Sequence, residues 1–201
     1  VFAAIRPLDP ERVVFGQYQG YRDEDDVADD STMETFVAAE VFVDAWRWSG
    51  VPFYLRTGKS MAEGRRTVTI GFTQAPLRMF PEHDPAKPVR PSELIFELSD
   101  DPQVRIEVEA KVPGPRIEIG RVAMKLDVDE AFGGADGLEA YERLILDAMR
   151  GDHTLFTTAE GIESLWERST PLLEDPPPAK NYPPGTWGPN AIHQLIAPNA
   201  W

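Results

Sequence analysis

Four cationic side chains lie close together in an otherwise acidic chain. Arg56 and Lys59 flank Gly58, and Arg65 and Arg66 come just before a segment of alternating apolar residues. The formal net charge of the 201 residues is −14, so local cations would have to hold an anionic ligand against the overall charge. Gly58 would allow a tight turn that presents Lys59. The residue types alone favour the simpler interpretation, in which these cations are only solvated.

Other catalytic and metal-binding patterns are missing from the sequence. It contains no Cys, and its three histidines, His83, His153 and His193, lie far apart. Neither thiolate catalysis nor a zinc site is therefore predicted. The sequence also lacks the G-x-S-x-G, P-loop and H-E-x-x-H motifs. We expect no metal site and no histidine-based catalysis from these residues.

Two segments superficially resemble ligand-binding loops. Residues 133–137 lie between a predicted strand and a predicted helix, but Phe132 takes the place of the first glycine of a dinucleotide fingerprint. Asp136 would also repel a pyrophosphate. The acidic run 23–30 has Val27 where a calcium loop needs an oxygen ligand. A turn and a solvated loop are the expected structures.

Charge and hydropathy exclude several classes of partner. A net charge of −14 argues against binding to nucleic acid or to an anionic membrane surface. No apolar run approaches the roughly 20 residues of a membrane-spanning helix, and no secretion signal follows Val1. The absence of Cys is compatible with a reducing compartment, so we expect a cytoplasmic protein. A start without Met suggests a processed or excised piece.

Four segments alternate with the period of two that is typical of half-buried strands. They cover residues 67–73, 93–98, 104–109 and 121–128. One-sided alternation predicts an antiparallel sheet with one solvated face. Residues 36–46 could form a helix or a strand, and their valines favour a strand. Residues 51–56 predict a short strand with Pro52 near its start.

Helices and a proline-rich tail are predicted for the later part of the chain. Asp136 caps a helix whose apolar stripe covers residues 138–149, and Thr157 caps a second helix that ends before Pro171.

Prolines cluster at 76–91, which predicts a long connection, and at 171–189, which predicts an extended C-terminal tail. Tyr182, Trp187 and Trp201 indicate that this tail packs on the rest of the protein. One α+β domain is expected.

Several motifs occur in a fixed order along the whole chain. They are V-F-G-Q-Y at 14–18, W-R-W-S-G-V-P-F at 46–53, R-T-G-K at 56–59, A-Y-E-R-L-I-L-D at 140–147, G-D-H-T-L-F at 151–156 and Y-P-P-G-T-W-G-P at 182–189. In this order they resemble the glucose-6-phosphate dehydrogenase family. The W-R-W-S-G-V-P-F run followed by R-T-G-K is the most specific part of the resemblance.

The resemblance implies that residues 1–201 form the family's C-terminal domain. That domain is α+β, with a large, mainly antiparallel β-sheet, helices packed on one face, and a homodimer formed through the sheet. The implied reaction transfers hydride from C1 of glucose 6-phosphate to NADP or NAD and gives 6-phosphogluconolactone. The family's Rossmann domain, catalytic histidine and main phosphate-binding motif precede this region. We therefore expect the chain alone to have no catalytic residue, no bound cofactor and no activity.

Lys59, the lysine of R-T-G-K, is the substrate-binding residue that the resemblance implies. Its ammonium would contact the sugar phosphate through a charge-assisted hydrogen bond worth about 1.5–3 kcal/mol. The family usually has a second cation five residues later, where this chain has Gly64, and Arg65 could substitute for it. Arg56 and Arg66 are further candidates for cofactor contacts.

The chain departs from the family where I-R-I-Q-P is often found. Phe96-Glu97-Leu98-Ser99-Asp100 stands there, so Ser99 replaces a sugar-binding glutamine and Glu97 replaces an arginine. In some members that arginine helps to bind a second, structural NADP, and Glu97 argues against such a site. These departures leave an alternative open, a divergent non-catalytic binding or oligomerisation module with the same fold.

Overall fold

The structure is a computed structural model that describes residues 1–74, 91–99, 102–133, 139–199 and 201. The chain divides into two compact units. The first comprises Val1–Glu63 and Ala140–Trp201, and the second comprises Gly64–Glu139. Within the described residues, each unit contains one four-stranded sheet.

The strands and helices are numbered in chain order. The strands are β1 (Val13–Tyr18), β2 (Phe36–Val41), β3 (Phe53–Gly58), β4 (Thr67–Gly71), β5 (Glu93–Glu97), β6 (Gln103–Lys111), β7 (Ile119–Asp127) and β8 (Lys180–Tyr182). The helices are α1 (Val128–Phe132), α2 (Ala140–Arg150), α3 (Ala159–Glu174) and α4 (Ile192–Ile196). Short 3-10 turns lie at Phe2–Ala4, Pro10–Arg12, Tyr21–Asp23 and Trp46–Trp48.

The sheet of the first unit has the strand order β3-β2-β1-β8. Strands β1, β2 and β3 pair antiparallel, whereas β8 pairs parallel with β1 and places Tyr182 opposite Tyr18. The strand interpretation of the valine-rich segment is confirmed by β2. The strand predicted over residues 51–56 is also present, but β3 begins after Pro52 and extends to Gly58. The C-terminal tail therefore supplies a strand to the sheet that the N-terminal part of the chain begins.

Both faces of this first sheet are covered. One face buries Val13, Phe15, Ala39 and Val41, with Leu172 of α3 packed against them. The other face buries a cluster to which the C-terminal segment contributes, made of Val14, Tyr18, Phe36, Ala38, Tyr182, Ile192 and Leu195. The prediction placed helices on one face only. The second face is covered because Ile192 and Leu195, three residues apart, form the apolar side of α4 in a tail that was predicted to be extended.

The second unit contains an antiparallel meander with the order β4-β5-β6-β7. Its register places Leu94 opposite Ile70 on one side and opposite Ile106 on the other, so most apolar residues of the four strands share one face, whereas Ile95 lies on the other. The opposite face carries charges, and Arg121 donates to Glu93 (2.8 Å) and Glu107 (2.7 Å) there. The alternating pattern is thus confirmed. The apolar face is nevertheless exposed, including every residue of β4.

The predicted α+β class with mainly antiparallel strands is confirmed, but the described strands are shared between two sheets of four. The polypeptide does not run directly from β3 into β4. Residues 59–62 instead leave the strand and approach the C-terminal segment, where Met61 forms a parallel β-bridge with Thr186.

Helix α2 confirms the first predicted helix. Its predicted cap Asp136 lies outside the described residues, as do Leu138, Gly134 to Gly137, His83, Asp100 and most of the proline-rich connection. Gly133, at the end of α1, has φ +70° and takes the left-handed conformation that suits glycine.

Helix α3 differs from its prediction at both ends. Its N-cap is Thr158 rather than Thr157, since the Thr158 hydroxyl accepts from the Gly161 N–H at 3.1 Å. The predicted end before Pro171 is also wrong, because α3 continues to Glu174. Pro171 lacks an N–H but its carbonyl accepts from the Asp175 N–H at 3.1 Å, so helical hydrogen bonding resumes past the proline.

Two negative findings apply to the described ranges. None of the helices there combines the length and apolarity needed to cross a membrane. Nor does this part of the chain bring together three or more His, Asp or Glu side chains that could hold a metal ion.

Candidate functional site

The candidate site is the Lys59 loop, residues 59–62, which follows β3. Both backbone groups of Lys59 are bonded. Its N–H donates to the Thr35 carbonyl at 2.8 Å, and its carbonyl accepts from the Tyr182 hydroxyl at 2.7 Å. The first residue of the loop is therefore fixed from the sheet and from the C-terminal segment at the same time.

Further contacts come from residues 182–186, which we call the C-terminal clamp. The Gly185 N–H donates to the Ser60 carbonyl, and the Ala62 N–H donates to the Thr186 carbonyl, both at 2.9 Å. Ser60 has φ +49°, a left-handed conformation that is unfavourable for a residue with a Cβ. The clamp holds the loop in this conformation through backbone hydrogen bonds.

Gly58 has a different role from the one that the sequence suggests. It is the last residue of β3 and is not among the glycines with positive φ, so the prediction of a glycine turn is wrong. A Cβ at Gly58 would lie 2.7 Å from Cδ2 of Phe36 and 3.1 Å from Sδ of Met61. The glycine is needed because the backbone passes directly over the buried Phe36 ring, while Ser60 makes the turn.

The Lys59 side chain contrasts with its backbone. It is exposed, and its ammonium forms no ion pair with any residue in the described part of the chain. A cation with a fixed backbone and no carboxylate partner is available to bind an anion. This is the property that the predicted substrate-binding role requires.

Arg56, on β3, is held by aromatic rings. Its guanidinium lies 4.9 Å from the ring centroid of Trp187 and 4.5 Å from that of Trp201, within the range of cation–π attraction. Burial lowers the pKa of Arg56. The Trp201 ring also meets Tyr54 edge-on at 6.1 Å. The predicted packing of the tail aromatics is confirmed at this cluster, where Arg56 links β3 to the C-terminal segment.

Arg65 and Arg66 belong to the second unit, whereas Arg56 and Lys59 belong to the first. The Arg65 guanidinium contacts both carboxylate oxygens of Glu97, Nε at 3.1 Å and Nη2 at 3.3 Å. Arg65, the possible substitute for the cation missing at Gly64, thus pairs with Glu97, which stands where the family often has an arginine. Arg66 is exposed, and its carbonyl accepts from the Leu98 N–H at 2.7 Å. Ligand contacts for both arginines stay predictions.

Tyr182 and Thr35 are site residues that the sequence analysis did not identify as such. They lie 147 residues apart, and the Lys59 loop is bonded to both. In the sequence, these two residues are marked only by their positions, since each begins a motif that resembles the glucose-6-phosphate dehydrogenase family. The motifs are T-F-V-A at 35–38 and Y-P-P-G-T-W-G-P at 182–189.

A polar cavity of about 360 Å³ lies at the C-terminal end of β1. Its lining includes Gln17, Tyr18, Arg22 and Asn181. The Tyr18 hydroxyl donates to the Glu24 carboxylate. This bond, together with burial and the negative charge of Glu24, raises the pKa of Tyr18 to about 12.

Comparison with known proteins agrees with the motif order. The family profile described as "Glucose-6-phosphate dehydrogenase, C-terminal domain" matches residues 1–201. Glucose-6-phosphate 1-dehydrogenase 1 of Mycobacterium tuberculosis is 36% identical over 197 residues, which are 98% of this chain and 41% of the relative. The enzyme of Mycolicibacterium smegmatis is 38% identical over 98% of this chain and 42% of its own length.

Solved structures give the same result. The crystal structure of glucose-6-phosphate 1-dehydrogenase from Mycobacterium avium superposes with a TM-score of 0.82 at 34% identity, covering 100% of this chain and 42% of the other. A glucose-6-phosphate dehydrogenase in complex with its substrate glucose-6-phosphate gives 0.88 at 30% identity, with coverage of 100% and 43%. The chain thus spans about two fifths of the length of its relatives. It belongs to the glucose-6-phosphate dehydrogenase family and corresponds to that family's C-terminal domain.

Proposed function

We propose that the full-length protein carrying this chain oxidises glucose 6-phosphate at C1 to 6-phosphogluconolactone, with NADP or NAD as hydride acceptor, in the cytoplasm. Family membership over the whole chain supports the reaction, and one similar structure is a complex with glucose-6-phosphate. In this reaction C1 gives up a hydride and its hydroxyl gives up a proton, so a base and a nucleotide site are both required.

The contribution we assign to this chain is the binding of the sugar phosphate by Lys59. The observation that carries the assignment is that the Lys59 backbone is bonded on both sides while its ammonium is exposed and has no carboxylate partner among the described residues. An ammonium bound to a phosphate lowers the free energy of the bound sugar through charge and hydrogen bonding. It does so in the ground state and in the transition state alike.

The nicotinamide nucleotide is not assigned to residues of this chain. Arg56, the first cofactor candidate, lies within cation–π distance of both Trp187 and Trp201, so its guanidinium is already engaged by groups of the protein. Arg66 is exposed on the second unit. Neither arginine forms a pyrophosphate cradle of backbone N–H groups of the kind that nucleotides prefer. We therefore assign no catalytic base and no hydride-transfer step to this chain.

Substitution of Lys59 by Ala in the full-length protein tests the proposal. Removing the charge should lower kcat/KM for glucose 6-phosphate by about one to two powers of ten, at about 1.4 kcal/mol for each power. The measurement is initial-rate kinetics with NADP and with NAD. Lys180→Ala is the matched control, because Lys180 is another exposed lysine of the same sheet, on β8.

An unchanged kcat/KM in Lys59→Ala would remove Lys59 from the substrate site. Equal losses in Lys59→Ala and Lys180→Ala would show a general effect of lost positive charge. The isolated 201-residue chain should show no turnover with either nucleotide. Turnover by it would contradict the assignment of the chemistry to other parts of the protein.

The alternative function, a non-catalytic binding or oligomerisation module, is favoured by one contact. Arg65, the possible second phosphate-binding cation, is engaged with Glu97. If Arg65 stays paired with Glu97 when the substrate is bound, it does not contact the phosphate, and the site lacks one of its expected cations. Absence of turnover by the full-length protein with both nucleotides, together with retained self-association, would favour the module.

We also propose that the protein forms a homodimer through the sheet of the second unit. The exposed apolar face of β4 to β7 supports this proposal. Its exposed side chains include Val68 (49% exposed), Ile70 (39%), Val122 (45%), Met124 (57%) and Leu126 (49%). A contiguous exposed apolar surface of this kind is typical of a protein interface.

A further inference from the structure

We propose that Tyr182 is a positioning residue for substrate binding, acting through the carbonyl of Lys59. This inference rests on the proposed function of Lys59 and extends it to a residue 123 positions away in the chain. Tyr182 would not contact the substrate. Its hydroxyl would fix the point from which the Lys59 side chain extends.

The hydroxyl has one preferred acceptor. Tyr182 is completely buried, and its hydroxyl oxygen lies 2.7 Å from the Lys59 carbonyl oxygen, 3.3 Å from the Thr35 hydroxyl and 3.5 Å from the Thr35 carbonyl. A phenol has one proton to donate, and the shortest contact identifies Lys59 as the acceptor. The Thr35 hydroxyl can donate to the phenol oxygen in return.

The Tyr182 ring is itself immobilised, so its hydroxyl is a fixed reference. The ring packs against Phe36 at 5.5 Å and meets Tyr18 edge-on at 6.4 Å. Its backbone lies in β8, paired with β1. Phe36 in turn packs against the Gly58 backbone, where a Cβ would lie only 2.7 Å from Cδ2 of Phe36. The buried pair of Phe36 and Tyr182 therefore restrains the Lys59 loop in two ways. Phe36 packs against the backbone of Gly58, and the Tyr182 hydroxyl donates to the Lys59 carbonyl.

The position of the bond explains why it would affect ligand binding. Lys59 separates a regular strand from Ser60, whose left-handed backbone is unfavourable without support. Loss of the bond to the Lys59 carbonyl would let the peptide between these residues rotate. A lysine side chain already loses rotamer entropy when it is held, and a mobile origin adds to that cost. Looser anchoring should appear as weaker substrate binding.

The test is Tyr182→Phe in the full-length protein, which removes the hydroxyl and keeps the ring. We expect KM for glucose 6-phosphate to rise about three- to tenfold with kcat within about twofold, the result of losing uniform binding. The matched control is Tyr18→Phe. Tyr18 belongs to the same buried cluster, but its hydroxyl bonds to Glu24 and not to the Lys59 loop, so KM should not change.

A double-mutant cycle with Lys59→Ala separates positioning from a general structural effect. If Tyr182 acts through Lys59, Tyr182→Phe should leave KM unchanged in the Lys59→Ala background. An equal rise of KM in both backgrounds would overturn the inference, as would a rise shared by Tyr18→Phe. If Lys59→Ala alone has no effect, the proposed function of Lys59 fails. If Lys59→Ala raises KM but Tyr182→Phe does not, only the positioning role fails.

The urea midpoint of each variant completes the experiment. Tyr182→Phe loses a bond to a neutral carbonyl and Tyr18→Phe loses one to a carboxylate, so the midpoint of Tyr182→Phe should fall no further than that of Tyr18→Phe. A raised KM in Tyr182→Phe, with a midpoint no lower than that of Tyr18→Phe, would support positioning most directly. A large loss of stability in Tyr182→Phe, with KM rescued by lower temperature, would count against it.

Discussion

Tyr18 and Tyr182 share one core and differ in what their hydroxyls bond. The Tyr182 hydroxyl donates to a neutral carbonyl, whereas the Tyr18 hydroxyl donates to the Glu24 carboxylate. Ionised Tyr18 would lose this bond and face a negative charge, which is why its pKa rises to about 12. A tyrosine hydroxyl therefore holds the backbone of Lys59 at position 182, whereas at position 18 it binds a carboxylate and has a raised pKa.

The raised pKa of Tyr18 predicts how the stability of the protein changes at alkaline pH. Because the pKa of Tyr18 is raised in the folded protein, its contribution to stability is complete below about pH 10, the value in an unfolded chain. That contribution declines between pH 10 and about 12. Spectrophotometric titration of the phenolate should show a late-ionising tyrosine that is missing in Tyr18→Phe.

Glu24→Gln supplies the control for this prediction. It keeps an acceptor near the Tyr18 hydroxyl but removes the carboxylate charge, so the pKa of Tyr18 should move back toward its ordinary value. Identical titration curves for the wild type and Glu24→Gln would mean that the carboxylate does not cause the shift.

Helix α3 illustrates what local sequence does and does not determine. Its apolar spacing correctly predicts a helix, but the N-cap predicted from the sequence, Thr157, is one residue too early. Only the structure shows that the Thr158 hydroxyl accepts from the Gly161 N–H. A Cβ at Gly161 would lie 2.8 Å from Cδ2 of Phe2, so a contact with the N-terminal turn accompanies this choice of cap.

Thr158→Ala should therefore destabilise the protein by about 1 kcal/mol, the typical value of an N-cap hydroxyl. Thr157→Ala is the control and should have little effect, since Thr157 precedes the cap and is exposed. The free energy of unfolding from urea titration distinguishes the two. A larger loss in Thr157→Ala than in Thr158→Ala would return the cap to the position that the sequence suggests.

The strands fall into two groups by how well the sequence predicts them. Strands β4 to β7 are predicted from their alternating pattern alone. Their pairing follows the order of the sequence, because each strand pairs with its neighbour in the chain. Strand β8 has three residues and pairs with β1, so its partner lies more than 160 positions earlier. No local pattern indicates such a pairing. The same long separation hides the bonds of the C-terminal clamp to the Lys59 loop.

The candidate site shows a similar division. Lys59 is found by its motif, whereas the ion pair of Arg65 with Glu97 joins residues 32 positions apart and needs the pairing of β4 with β5. Both residues mark departures from the family pattern, and their coincidence could have suggested a compensating pair. The contacts of Arg56 with Trp187 and Trp201 could not be predicted in this way, because tryptophans in a proline-rich tail have many possible partners.

Self-association is the prediction that concerns the whole molecule. The apolar face of the second sheet exposes side chains of β4, β6 and β7, and burial of such area stabilises an interface by about 25 cal/mol for each Å². We expect a dimer in solution, and Ile70→Glu should weaken its association at least about tenfold, because a carboxylate would be desolvated in the interface. Sedimentation or light scattering over a range of concentrations measures this.

Thr69→Glu is the matched control for the dimer. Thr69 neighbours Ile70 on β4, is exposed, and points to the opposite face of the sheet, so it adds the same charge outside the proposed interface. Equal weakening by both substitutions would indicate a general effect of charge. A wild-type protein that stays monomeric at all concentrations would contradict the proposed dimer.

The parallel pairing of β8 with β1 has a consequence for the order in which the protein acquires its structure during synthesis. The meander β4 to β7 uses only neighbouring segments and can form while the polypeptide is still leaving the ribosome. The first sheet, in contrast, must wait with Val14 and Phe36 unprotected until Tyr182 and α4 emerge. During that interval its open edge is available for misassociation between nascent chains, and the loop that carries Lys59 takes its final conformation only after the C-terminal clamp has been synthesised.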